Sequence, residues 1–99
     1  ILANGGSASA AEIVSGALRD QGYAKIVGVK TFGKGSVQEL IGLPQNTAVK
    51  VTVAKWLTPN GVNINKNGLE PDIKVEMSAE DITSKKDLQM DKALEILGK

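Results

Sequence analysis

Apolar residues recur along this chain at two periods, and the places where the period changes mark its elements. Ile1 to Ala3 is a short apolar run ending at Asn4-Gly5-Gly6, a turn signal, so the chain is expected to open on a strand. From Ser7 to Gln21 the spacing predicts a helix, with Ile13, Val14, Ala17 and Leu18 on one face. Ser9 and Glu12 have the spacing of a capping box, and Gly22 closes the helix. Lys25 to Val29, rich in β-branched residues, follows closely and completes a strand–helix–strand unit.

The period then shortens. After the glycine-flanked loop Thr31-Phe32-Gly33-Lys34-Gly35, Ser36 to Leu43 alternates well enough for a strand, with Val37, Leu40, Ile41 and Leu43 as its apolar members. Pro44-Gln45-Asn46 is a turn. Thr47 to Leu57 alternates more clearly, with Val49, Val51 and Val53 on one face and Lys50 and Thr52 on the other. These two strands are expected to pair as an antiparallel hairpin. Thr58-Pro59-Asn60-Gly61 is a turn, because proline presets φ and Asn-Gly accepts a positive one. Residues 62 to 70 read as irregular, and Pro71-Asp72 leads into a short strand, Ile73 to Val75. Ser78 to Lys86 is a polar connector with room for a helical turn. Asp87 to Leu97 closes the pattern as a helix carrying Leu88, Leu94 and Leu97. The reading is one α/β domain without internal repeats or low-complexity tracts.

Composition narrows the chemistry. Ninety-nine residues suit a single domain, and a formal charge of +1 gives no reason to expect a nucleic acid or an anionic membrane as partner. No apolar run is long enough for a transmembrane helix. The chain has no histidine and no cysteine, so it cannot by itself build a Ser-His-Asp triad, a thiol nucleophile, a thiolate zinc site or a disulfide. No metal or cofactor is expected. A strand at residue 1 needs neighbours, which leads to the expectation that the chain is the tail of a longer protein with part of its core upstream.

Three features could carry chemistry. Gly5-Gly6-Ser7-Ala8-Ser9 is a glycine-rich turn feeding a helix, whose free N–H groups suit a developing oxyanion. By itself it reads first as a helix merely capped by Ser7 or Ser9, and does not point to an enzyme. Lys34 stands between Gly33 and Gly35, where a lysine is ordinarily just solvated. Gly28 to Lys34 also matches the phosphate-loop pattern, but Gly35 occupies the position that needs Ser or Thr, and a strand follows where a helix should. The carboxylates Glu12, Asp20, Asp72 and Asp81 show no paired spacing; Glu12 reads as a capping residue, and Asp20 sits where the helix dipole disfavours an anion. Combined, the first two features make sense: a serine needs a base, histidine is absent, and a neutral lysine amine in an apolar pocket can serve.

The residues resemble a known family at this point. Asn4-Gly5-Gly6-Ser7-Ala8-Ser9-Ala10-Ala11-Glu12-Ile13 is similar to the nucleophile motif of the C-terminal processing peptidases, also called tail-specific serine peptidases. Thr31-Phe32-Gly33-Lys34-Gly35-Ser36-Val37-Gln38 resembles their lysine motif. A third block, from Thr58-Pro59-Asn60-Gly61 through Ile64 and from Gly68 to Asp72, is similar to a family signature without a catalytic role. The resemblance implies Ser9 as nucleophile, Lys34 as general base at the family spacing, Gln38 as a residue that orients the lysine, and Asp20 as an acidic contributor found in some members. It implies the Ala10 N–H as one oxyanion donor, with the other from a glycine turn upstream. Ala11 stands where serine is common and Trp56 where tyrosine is common.

The implied fold is a partial core of the Clp-protease/crotonase kind, residues 1 to 99 forming its C-terminal portion, with the rest of the core and a PDZ domain elsewhere in the parent chain. The implied activity is endopeptidase cleavage of protein or peptide substrates at or near their C-termini, through an acyl-enzyme, outside the cytoplasm in the periplasm or at the cell surface. The alternative is a folded but inactive subdomain of such a peptidase, whose uncovered apolar surface leads to the expectation of a homodimer. A plain binding module gives no reason for Ser9 and Lys34 at this spacing.

Overall fold

The computed structural model of the chain describes residues 1–98. Its elements are β1 (Leu2–Ala3), α1 (Ala10–Asp20), β2 (Val27–Gly28), β3 (Ser36–Leu43), β4 (Thr47–Lys55), β5 (Ile73–Lys74), α2 (Ala79–Thr83) and α3 (Leu88–Ile96). β1, β2 and β5 form a parallel sheet with β2 in the centre, and β3 and β4 form a separate antiparallel pair.

The strand–helix–strand unit is present, with Leu2 opposite Val27 and Ala3 opposite Gly28. Its strands are shorter than the sequence suggests. Lys25 to Val29 narrows to Val27–Gly28, and Ile73 to Val75 narrows to Ile73–Lys74. Pairing continues past these ends as single bonds, from Val27 N–H to Ile1 O at 2.8 Å and from Val75 N–H to Gly28 O at 2.8 Å. Gly28 is required where it stands: at φ 137° a Cβ would lie 1.9 Å from the Ala3 carbonyl oxygen.

Helix α1 begins at Ala10 rather than Ser7, because the preceding residues are committed to a turn. Ser7 N–H donates to Asn4 O at 2.9 Å, and Gly6 N–H donates to Asn4 Oδ1 at 2.8 Å. The buried side of α1 is not its apolar stripe. Glu12, Ser15 and Gly16 are buried, whereas Val14 is 57% exposed. Gly16 lets the helix approach Thr58 and Leu69, since a Cβ there would meet Thr58 Cγ2 at 2.8 Å.

Ala3, Ile26, Ile64 and Leu69 form a small buried core. Half of it comes from the stretch read as irregular. Residues 62 to 70 lack a period because each turn of the loop is fixed by its own hydrogen bond rather than by a ladder: Gly68 N–H donates to Ile64 O at 2.8 Å, and Leu69 N–H donates to Thr31 Oγ1 at 2.7 Å. The polar connector contains α2, capped by Ser78, and Asp87 caps α3 by accepting from Met90 N–H at 2.9 Å.

The hairpin has the expected pairing, with Ile41 opposite Val49 and Leu43 opposite Thr47. β4 stops at Lys55 instead of Leu57, because Leu57 bridges to Asn63. The pair projects from the body of the molecule. Its radius of gyration is 16.9 Å, against about 13 Å for a compact chain of this length. Ile41, Leu43, Val49 and Val51, on one face of the hairpin, are all exposed.

Candidate active site

The turn from Asn4 to Ser7 hands the chain to Ser9, the N-cap of α1. Ser9 adopts φ 51° and ψ −117°, a region that L residues with a Cβ avoid at a cost of about 1–3 kcal/mol. Such a sharp turn between strand and helix holds a serine hydroxyl outward at the helix start. Of the Ser9–Glu12 capping box only the Glu12 half is made, and the Ser9 hydroxyl makes no cap hydrogen bond. The cap is made from the other side: Ser9 N–H donates to Glu12 Oε2 at 3.1 Å. Among the described residues Ala10 N–H has no acceptor, as expected for the first residue of a helix.

Glu12 organises the site. Its side chain is wholly buried and its carboxylate accepts four hydrogen bonds. Oε1 receives Thr31 Oγ1–H at 2.6 Å and Gly33 N–H at 2.6 Å. Oε2 receives Lys34 N–H at 2.9 Å and Ser9 N–H at 3.1 Å. A buried carboxylate is tolerated only when its oxygens are satisfied in this way. One oxygen thus gathers the backbones of Ser9 and Lys34, whose nitrogens lie within about 6 Å of each other. A further bond, from Phe32 N–H to Ser7 O at 2.9 Å, fastens the two loops side by side.

The lysine loop is held on its other side by the irregular segment and by Trp56, just past the end of β4. Thr31 N–H donates to Leu69 O at 3.1 Å, Lys66 N–H to Gly33 O at 2.6 Å, and Trp56 N–H to Gly35 O at 2.6 Å. This close approach explains both glycines beside Lys34. A Cβ on Gly33 would meet Gly68 N at 3.0 Å, and one on Gly35 would meet Asn65 N at 2.7 Å. The Lys34 side chain itself is exposed.

The other sequence candidates lie apart. Asp20 ends α1, and eleven helical residues put it about 16 Å along the axis from the Ser9 end. There its carboxylate accepts Asn60 N–H at 3.1 Å and lies 3.8 Å from Arg19 Nε. The Thr58 hydroxyl, then the Asn60 N–H, hold its carboxyl below the ordinary carboxylate range; partial burial opposes them and the Arg19 charge assists them. These partners offset the unfavourable helix dipole, and the residue anchors the 58–61 turn. Gln38 lies on β3 opposite Thr52, beside the irregularity at Val37, and is exposed. No hydrogen bond joins it to Lys34 among the described residues.

Sequence reasoning undervalued Glu12 and passed over Thr31. The spacing from Ser9 signalled a cap, but the other three donors to Glu12 come from residues 31 to 34, and nothing in the local pattern announces them. Among the described residues no cluster of acidic side chains could hold a metal ion, and no helix is long and apolar enough to cross a membrane.

Residues 1–75 match the family model described as Peptidase family S41. A carboxyl-terminal-processing protease of Synechocystis is 47% identical over 100 residues, covering 98% of this chain and 23% of that protein. A carboxy-terminal-processing protease of Bartonella bacilliformis is 54% identical over 76 residues, covering 77% of this chain and 18% of that protein. The chain therefore spans less than a quarter of the length of these relatives. Among solved structures, a photosystem II D1 C-terminal processing protease matches 76% of this chain and 19% of its own at 47% identity and a TM-score of 0.71. The tricorn protease matches 97% of this chain and 10% of its own at 26% identity and a TM-score of 0.81. The mixed α/β arrangement is the Clp-protease-like one that these structures share.

Proposed function

The chain belongs to peptidase family S41, and from that premise we propose that it carries the serine–lysine pair of an endopeptidase that cleaves proteins at or near their C-termini. The observation that carries this reading is the Glu12 carboxylate, which gathers the N–H groups of Ser9 and Lys34 onto one oxygen. The conformation of Ser9 and the unpaired N–H of Ala10 support it.

In this reading Lys34, as a neutral amine, takes the Ser9 hydroxyl proton while Oγ attacks the scissile carbonyl carbon. The oxyanion is received by Ala10 N–H and by a second donor from the remainder of the parent core. Collapse of the intermediate expels the amine of the leaving peptide, protonated by Lys34, and leaves an acyl ester on Ser9. Water, deprotonated by the same amine, releases the product. Glu12 touches none of the reacting atoms and is a positioning residue. Gln38 orients the lysine once the site is complete, and Asp20 contributes through the 58–61 turn. Neutral lysine requires burial, and the exposed Lys34 side chain calls for a cover supplied by the rest of the parent core and its PDZ domain. The parent works outside the cytoplasm, in the periplasm or at the cell surface, on protein or peptide substrates.

The test is incubation of an unfolded protein substrate with the full-length parent and with its Ser9→Ala and Lys34→Ala variants, read by mass spectrometry. Loss of cleavage in both variants with folding unchanged is the expected result. Turnover that survives either substitution removes that residue from the mechanism.

A second reading is favoured by the exposed Lys34 and the uncovered hairpin: the 99-residue chain alone is a folded, inactive subdomain that self-associates through Ile41, Leu43, Val49 and Val51. Sedimentation across a concentration series checks it. A strict monomer at high concentration would count against self-association.

A further inference from the structure

The sequence contains three Asn-Gly steps, Asn4-Gly5, Asn60-Gly61 and Asn67-Gly68. Such steps are where a backbone amide can attack the preceding side chain, because glycine leaves its own nitrogen uncrowded. The fold treats the three differently. Gly61 N–H is engaged by Thr58 O at 2.8 Å, and Gly68 N–H by Ile64 O at 2.8 Å. Both nitrogens are thereby withheld, and Gly68 is also buried against Thr31. Gly5 N–H has no acceptor among the described residues, and Asn4, Gly5 and Gly6 are all exposed.

The turn also activates the electrophile. Gly6 N–H donates to Asn4 Oδ1 at 2.8 Å, folding the side-chain amide back over the Asn4–Gly5 peptide. A donor on that oxygen polarises Cγ and stabilises the negative charge that develops on Oδ1 during attack, which is the logic of an oxyanion hole. Space is not limiting, for a Cβ added at Gly5 would meet nothing within 4 Å.

We infer that Asn4 is a site of spontaneous deamidation and isomerisation, selected by the fold from three candidate steps and placed in the turn that delivers Ser9. Gly5 N bonds to Asn4 Cγ, its proton passes to the departing amide nitrogen, and ammonia leaves as a succinimide closes. Water then opens the ring at either carbonyl, giving aspartate or isoaspartate. The isoaspartyl product routes the chain through the former side chain, lengthens the backbone by one methylene ahead of Ser9, and frees a new carboxylate. The Asn4 carbonyl that accepts Ser7 N–H at 2.9 Å ceases to be part of the main chain. The modification therefore disassembles the turn that sets the conformation of Ser9. This inference stands on the turn alone and is independent of the peptidase reading.

Trypsin separates the three steps, since cleavage after Arg19, Lys55, Lys66 and Lys74 places them on peptides 1–19, 56–66 and 67–74. The chain is aged at mildly alkaline pH, once native and once in denaturant. Exchange of –NH2 for –OH is followed by mass, and isoaspartate by isoaspartyl methyltransferase labelling. In the native chain peptide 1–19 is expected to convert several-fold faster than the other two, and in denaturant the three rates are expected to converge. Gly5→Ala, which the open space around Gly5 tolerates, is expected to slow conversion of peptide 1–19 several-fold in the folded chain. Native conversion of peptide 1–19 at or below the rate of either other peptide would overturn the inference. So would a Gly5→Ala variant that converts at the unaltered rate.

Discussion

Replacing Glu12 by glutamine tests the central structural claim with the smallest change available. The side chain keeps its size, but one of two acceptor oxygens becomes an NH2 group that can only donate. If that group replaced Oε2, both Ser9 N–H and Lys34 N–H would face a donor and neither backbone group could adapt. Placed at Oε1 it faces Gly33 N–H and the Thr31 hydroxyl, and a hydroxyl can turn from donor to acceptor. Thr31 Oγ1 already accepts Leu69 N–H at 2.7 Å and retains a second lone pair. The amide nitrogen is therefore expected beside Thr31, leaving Gly33 N–H orphaned and the Ser9–Lys34 tie intact. One buried orphan and the loss of charge on the remaining bonds come to about 2–3 kcal/mol. That is a large part of the roughly 5–15 kcal/mol available to a domain of this size. Urea unfolding of the 99-residue chain, followed by circular dichroism, should show a lower midpoint at unchanged slope. A stability change within about 0.5 kcal/mol, the range of ordinary surface substitutions, would refute the claim that this carboxylate is buried and fully bonded.

Two further outcomes follow from the same geometry. Ser9→Gly removes the Cβ from a backbone at φ 51° and ψ −117°, so it should raise the denaturation midpoint, corresponding to about 1 kcal/mol or more, while abolishing cleavage in the full-length parent; a destabilised variant would show that the residue is not strained. Asp20 has its folded pKa depressed by Thr58, Asn60 and Arg19, so its contribution to stability is full above the unfolded value near 3.9 and is lost as pH falls through the lower folded value. Thermal unfolding of the chain and of Asp20→Asn between neutral and strongly acidic pH should converge at the acid end, and parallel curves would contradict the assignment.

The chain's local patterns carried much of this structure. The alternation of Val49, Val51 and Val53 and the Pro44-Gln45-Asn46 turn specify the hairpin, because strand period and turn chemistry act over neighbouring residues. The run from Asn4 to Glu12 specifies a turn and a capped helix for the same reason. What local pattern cannot express is which side of an element meets the rest of the chain. The stripe with Val14 and Leu18 reads as the inner face of α1, yet the helix turns Glu12 and Gly16 inward. Four donors, three of them supplied by the loop from Thr31 to Lys34, make that burial favourable. Ile64 and Leu69 are core residues in a segment without a period, since loop hydrogen bonds to Thr31 and Gly33 place them rather than a ladder. Neighbouring residues were enough to announce most elements and the residue types of the proposed serine–lysine site; long-range packing alone set Glu12 between the two loops and Asp20 at the far end of the helix. Hydrogen bonds between residues distant along the chain leave no periodic trace in it, and those bonds are what assemble this site.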